Sequence, residues 1–145
     1  MSISATMVKE LREKTSAGMM DCKKALEESK GDFEAAVEWL RVKGLSAAAK
    51  KADRVAAEGL VSAITSENMA AVVEVNSETD FVSRNDGFKS FVSKITNHVL
   101  NSNSTENILD QKYDANSTVG DKLKEAIAAI GENLVIRRAE KYTVS

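Results

Sequence analysis

The chain has 145 residues, 43% of them hydrophobic and 29% charged, with a formal net charge of −2. That balance belongs to a folded globular chain rather than a disordered one, and it offers no general field for nucleic acid, which is not expected as a partner. One cysteine (Cys22) and one histidine (His98) exclude an internal disulfide and a Cys/His zinc cage.

The length suits one ordinary domain or two small ones. No apolar run approaches a membrane span and the N-terminus has no signal-peptide core, so a cytoplasmic location without a membrane partner is expected. Proline is absent, and Gly, Asn, Asp and Ser punctuate the elements instead.

The first third reads as short helices. In "ISATMVKELREKT", Ser4 caps a helix start, Ile3 and Val8 are placed to form a hydrophobic staple, and Ile3, Met7 and Leu11 recur at helical spacing. "SAGMMDCKKALEESKG" follows a glycine turn, with Gly31 as its expected stop. Asp32 then caps "FEAAVEWLRVKG", in which Phe33, Val37 and Leu40 form one face and Gly44 is expected to end the helix. These three helices predict a small bundle. "LSAAAKKADRVAAEG", rich in Ala, reads as a helical connector.

The texture changes at Gly59. "LVSAIT" and "MAAVVEV" are short, Val/Ile/Ala-rich runs separated by "SEN", which can turn a hairpin. "SETDFVSRN" reads as an exposed loop. Asp86 is the expected cap of "GFKSFVSKITNHVL", where Phe88, Val92, Ile95 and Val99 lie at i, i+4, i+7 and i+11. Residues 106–116 are weakly patterned. "STVGDKLKEAIAAIGEN" predicts a helix with Leu123, Ile127 and Ile130 inward and Gly131 as its stop, and "LVIRRAEKYTV" a final strand. The predicted class is α+β. Residues 1–54 form a three-helix unit with its connector, and residues 55–145 a β-β-α-α-β unit whose antiparallel sheet is covered by helices.

Catalytic constellations are scarce. His98 has no nucleophile near it in the helical pattern and reads as a partly exposed helix residue. Cys22 reads as a small buried filler, because Asp21 and Lys23 point to other faces. No GxxxxGK or GxGxxG is present, no cofactor is implied, and "SETD" lacks further ligands at calcium-loop spacing. The basic residues of "AAAKKADR" are offset by Asp53 and Glu58, and the arginines of "IRR" suit the open face of an edge strand.

Interaction surfaces remain. Met19 and Met20, about 100° apart on a helix, are hard to bury together and suit a protein contact, although one could fill the core. Phe81 and Val82 form a large apolar pair among polar residues. Read alone, Phe81 either folds back as a core cap or stands out as an anchor for a partner.

"VKELREKTSAGMMDCKKALEESKGDFEAAVEWLRVKG" closely resembles the N-terminal domain of the elongation factor Ts family, "EVNSETDFVSRNDGF" its core signature, and "AIGENLVIRR" the strand after its closing helix. The resemblance covers Met7 to about Arg138, and AGMMDCKKAL together with TDFV in this order is specific. It implies a non-catalytic guanine-nucleotide exchange factor for elongation factor Tu, with an N-terminal module similar to ubiquitin-associated domains. Arg12, Met19 and Met20 would then contact the nucleotide-binding domain of the GTPase. Thr79, Asp80, Phe81 and Val82 would dislodge its magnesium ion, with Phe81 as a wedge. Many family members continue into a second core half, so this chain reads either as a fragment or as a short form completed by a second copy in a homodimer. Ser77 stands where many members carry Cys. The alternative from another class is a non-exchanging ubiquitin-type binding module fused to an α+β unit, for which a TDFV element has no use.

Overall fold

The computed structural model describes residues 2–145. Among them are six α-helices and one three-stranded antiparallel sheet, so the fold is α+β. The helices α1 (Ala5–Thr15), α2 (Met19–Glu28) and α3 (Phe33–Lys51) come first. Ser4 caps α1 by accepting the Met7 N–H at 3.2 Å, and Asp32 caps α3 by accepting the Ala35 N–H at 2.9 Å. Each cap removes an orphan donor, an effect of about 1 kcal/mol. Val8, Leu11, Cys22, Ala25, Leu26, Ala36 and Leu40 are buried together, with Ile3, Phe33 and Val37 packed around them.

Two expected helix ends fall elsewhere. α2 stops at Glu28, three residues before Gly31. Gly31 sits at φ 84° and donates its N–H back to the Leu26 carbonyl at 2.8 Å. Gly44 does not end α3, which runs on through "LSAAAKK" to Lys51. The connector is therefore the second half of this helix, followed by a short non-helical link. Alanines and lysines favour continuation. Gly44 is buried where α3 packs against α6 (Val119–Ile130), and a Cβ there would lie 3.7 Å from the Ala128 Cβ. A small residue permits that close helix approach.

β1 (Glu58–Ser66) and β2 (Met69–Ser77) form the predicted hairpin, with Glu67 at φ 50° in the turn. β3 (Val135–Thr143) pairs antiparallel with β2, which makes β2 central and leaves β1 and β3 as edges. Gly59 has φ 144°, and a Cβ there would meet the Val75 carbonyl oxygen at 2.1 Å, so no other residue fits that crossing. Between the hairpin and β3 come the one-turn helix α4 (Asp80–Ser83), α5 (Asp86–Asn101), a 3-10 turn at Ile108–Asp110, and α6.

α5 lies across the inner face of the sheet. Phe88, Val92, Ile95 and Val99 are all buried against Ala71, Val73 and Val75 of β2, which alternate along the strand as the pleat requires. The cap of α5 is Asn85 rather than Asp86; its Oδ1 accepts the Phe88 N–H at 3.1 Å, and Asp86 begins the first turn. In α6 a capping box joins Thr118 and Asp121, and Gly131 at φ 89° ends the helix. Ile127 is buried, and Leu123 and Ile130 are partly buried against the same cluster. Ala48 from the far end of α3 also belongs to it, so one helix contributes to both hydrophobic clusters.

His98 is half-buried and pins the segment after α5. The Gln111 side-chain amide donates to the carbonyls of Ser104 at 2.8 Å and Glu106 at 3.0 Å, which turns its oxygen toward His98 Nε2 at 2.8 Å. With that oxygen as acceptor, Nε2–H is the donor. Both arginines in "IRR" are exposed on β3, as expected, and Arg137 in addition donates to Asn76 Oδ1 at 2.8 Å and to the Ala56 carbonyl at 3.2 Å. Arg137 ties the edge strand to its neighbours instead of only shielding it.

Candidate functional site

"TDFV" is a cap and one helical turn, not a loop. Thr79 is the N-cap of α4, its hydroxyl accepting the Val82 N–H at 3.4 Å. In so short a helix, Phe81 and Val82 are forced to different sides. Val82 turns inward and packs on the main cluster; Phe81 is 84% exposed. The pair is thereby divided. Val82 takes the core-capping role, and the phenyl ring stands in solvent on a turn that rests on β1, β2 and α5. Single exposed apolar side chains are common on folded chains, so Phe81 is a candidate anchor because a large aromatic ring stands on a capped turn, not because of exposure alone.

Asp80 forms an i,i+4 ion pair with Arg84 at 3.2 Å, and both side chains are largely exposed. Such a pair contributes little to stability, so Asp80 stays accessible in the first turn. The Ser83 hydroxyl donates to the Asp80 carbonyl at 2.9 Å, which closes the turn from within.

The second group of predicted residues lies on the helical bundle. Met19 and Met20 occupy the first turn of α2 and are 52% and 74% exposed, so neither is a core filler. Cys22, Ala25 and Leu26 fill that core instead. Arg12 is exposed in the last turn of α1. Beside the methionines, Asp21 pairs with Lys43 of α3, whose ammonium also lies 5.4 Å from the Trp39 ring centroid. These contacts anchor the first turn of α2 to α3. Burial raises the Cys22 thiol pKa above its ordinary value, against an opposing hydrogen bond with Thr15. A protonated, fully buried thiol is a packing group, not a nucleophile.

Glu78, Glu132 and Asn133 were not among the residues expected at the site, yet they surround the base of α4. The Glu132 carboxylate accepts the N–H groups of Glu78 and Thr79 at 2.9 and 3.0 Å, and the Thr79 hydroxyl at 2.5 Å. Glu78 in turn accepts the Asn133 N–H at 2.7 Å. The partners are more than fifty positions apart, so no local spacing announces them.

A family model described as Elongation factor TS matches residues 78–145. An elongation factor Ts from Bdellovibrio bacteriovorus is 62% identical over 147 residues, covering 100% of this chain and 48% of its own length. This chain belongs to the elongation factor Ts family. Elongation factor Ts of Methylobacterium sp. strain 4-46 is 57% identical over 146 residues, and that of Rhodospirillum centenum 55% over 145, each covering 99% of this chain and 48% and 47% of their own lengths. The chain thus spans about half the length of the curated elongation factor Ts relatives it matches. Among the described residues no helix is long and apolar enough to cross a membrane.

Proposed function

We propose that this chain binds elongation factor Tu in the cytoplasm and promotes release of its GDP, acting without covalent chemistry. Residues 1–54 serve as a docking unit, through Arg12, Met19 and Met20, and residues 55–145 carry the wedge at Thr79–Val82. The observation that carries the reading is Phe81: a phenyl ring 84% exposed on a turn whose other apolar side chain is packed inward.

The mechanism follows from the demands of the metal. Magnesium requires near-ideal octahedral geometry at short distances, so a small shift of the elements that support it weakens its hold. The Phe81 ring, entering between such elements, supplies the free energy of that shift by its own burial. Full burial contributes about 1.5–3 kcal/mol, equivalent to one to two factors of ten in nucleotide affinity. Linkage is reciprocal: as the factor weakens nucleotide, nucleotide weakens the factor, and the incoming nucleotide releases it.

The test is the dissociation rate of a fluorescent GDP analogue from elongation factor Tu, with and without this chain. Acceleration that saturates with concentration is expected. Binding without acceleration would reduce the chain to a docking module and refute the exchange function.

A further inference from the structure

A single helical turn does not hold itself in place, because helix nucleation is unfavourable without outside support. α4 has four residues, and the two N–H groups leading into it, those of Glu78 and Thr79, lie beyond the last paired residue of β2. Both are bound by one side chain. Glu132, in the link between α6 and β3, places Oε2 at 2.9 Å from the Glu78 nitrogen and 3.0 Å from the Thr79 nitrogen. Its other oxygen, Oε1, takes the Thr79 hydroxyl at 2.5 Å.

The arrangement is closed from the other side. Glu78 Oε1 accepts the Asn133 N–H at 2.7 Å and lies 3.5 Å from an Arg54 guanidinium nitrogen. Asn133 is buried, and its side-chain amide donates to the carbonyls of Arg54 at 2.8 Å and Ala52 at 3.4 Å, where α3 has just ended. Two adjacent residues of the α6–β3 link thus grip the entry to α4 and the exit of α3. Hydrogen bonds to a carboxylate are roughly twice as strong as neutral ones. The direction in which Phe81 leaves the surface depends on them.

We propose that Glu132 is the positioning residue of the wedge: through the amides of Glu78 and Thr79 and the Thr79 hydroxyl, it holds α4 in the orientation in which Phe81 engages the GTPase. This role rests on the exchange function proposed above. Glu132 does not itself touch the partner. It reduces the ordering that the wedge must undergo when it enters, so its effect falls on the rate at saturation.

The experiment compares the wild-type chain with Glu132→Ala, Glu132→Asp and Glu132→Gln. Release of fluorescent GDP from elongation factor Tu is followed against factor concentration, and hydrogen exchange at the Glu78 and Thr79 amides is followed in the free proteins. Glu132→Ala is expected to lose protection at both amides and to lower the maximal release rate about tenfold, with little change in the half-saturating concentration. Glu132→Gln keeps the length and one oxygen for the two N–H groups, and is expected to recover most of the rate. Glu132→Asp keeps the charge but withdraws it by one methylene, so it is expected to remain slow; it carries the comparison should Glu132→Ala melt below the assay temperature. A Glu132→Ala or Glu132→Asp chain that loses amide protection yet keeps the full maximal rate overturns the positioning role and leaves the exchange function standing. A wild-type chain that binds without accelerating release refutes the exchange function, and the positioning role with it.

Discussion

Replacing Phe81 by alanine separates folding from function more cleanly than any other change in this chain. The ring is 84% exposed, so its removal withdraws almost no buried surface from the free protein. A surface substitution of this kind changes stability by at most about 0.5 kcal/mol. A phenylalanine that sealed its own core would cost about 3–5 kcal/mol on truncation. In the complex the ordering reverses. If the ring is buried in elongation factor Tu, truncation removes about 1.5–3 kcal/mol of stabilisation, which lowers the acceleration of GDP release roughly ten- to a hundredfold. The paired control is Val82→Ala on the same turn. Val82 packs on the main cluster, so its loss costs about 1 kcal/mol of stability. Thermal melting by circular dichroism and stopped-flow release of fluorescent GDP, run on both variants, read the two effects independently. A Phe81→Ala chain that melts like a core truncation would show the ring to be structural in solution. One that keeps its melting temperature and also its full exchange rate would end the wedge mechanism.

Met19→Ala with Met20→Ala should raise the half-saturating factor concentration in the release assay while lowering Tm by less than about 3 °C, since both side chains are more than half exposed; a fall as large as that of Leu26→Ala, a fully buried position, would place them in the core. Gly44→Ala should stabilise the chain by about 0.5–1 kcal/mol, because the added methyl meets Ala128 at an ordinary 3.7 Å and a helix-interior glycine is removed; destabilisation in urea would contradict that packing of α3 on α6. The Cys22 thiol has a raised folded-state pKa, so the fold favours its protonated form. Its contribution is complete below the unfolded thiol range near about 8.5 and is lost as pH rises through the higher folded value. The stability difference between wild type and Cys22→Ala should therefore shrink in alkaline solution, and a difference constant with pH would exclude the effect.

What could be read from the residues was whatever has a short period. The face Phe88–Val92–Ile95–Val99, the caps Ser4 and Asp32, the stop at Gly131 and the hairpin across "SEN" depend on neighbours within a few positions, and each stands as expected. Gly44 misled because its meaning is tertiary. Glycine commonly ends a helix, but here the position is buried against α6, some eighty residues later, and the helix runs on through it. Phe81 was ambiguous for the same reason. Anchor and core cap have identical local sequence, and the turn that carries the side chain is hydrogen-bonded to a residue more than fifty positions away.

Those supports bear on how the proposed docking residues and the proposed wedge act together. Docking through Met19 and Met20 assists a wedge at Phe81 only if the two move together; a flexible hinge between them would lose the orientation gained by binding. At Gly44, where the sequence suggests a helix end, the backbone does not break. α3 passes unbroken through Gly44, contributes Leu40 to one hydrophobic cluster and Ala48 to the other, and packs along α6. Just beyond its end, the Asn133 side chain holds the carbonyls of Ala52 and Arg54, while the Asn133 N–H holds Glu78 at the base of the wedge. Asn133→Ala removes the side-chain half of this bridge and leaves the Glu132 bonds to α4 in place. On the proposed mechanism that variant should keep the amides of Glu78 and Thr79 protected and still exchange more slowly, because the wedge remains formed but is no longer fixed to the end of α3. Full exchange activity in Asn133→Ala would mean that α3 and α6 alone hold the two surfaces in register.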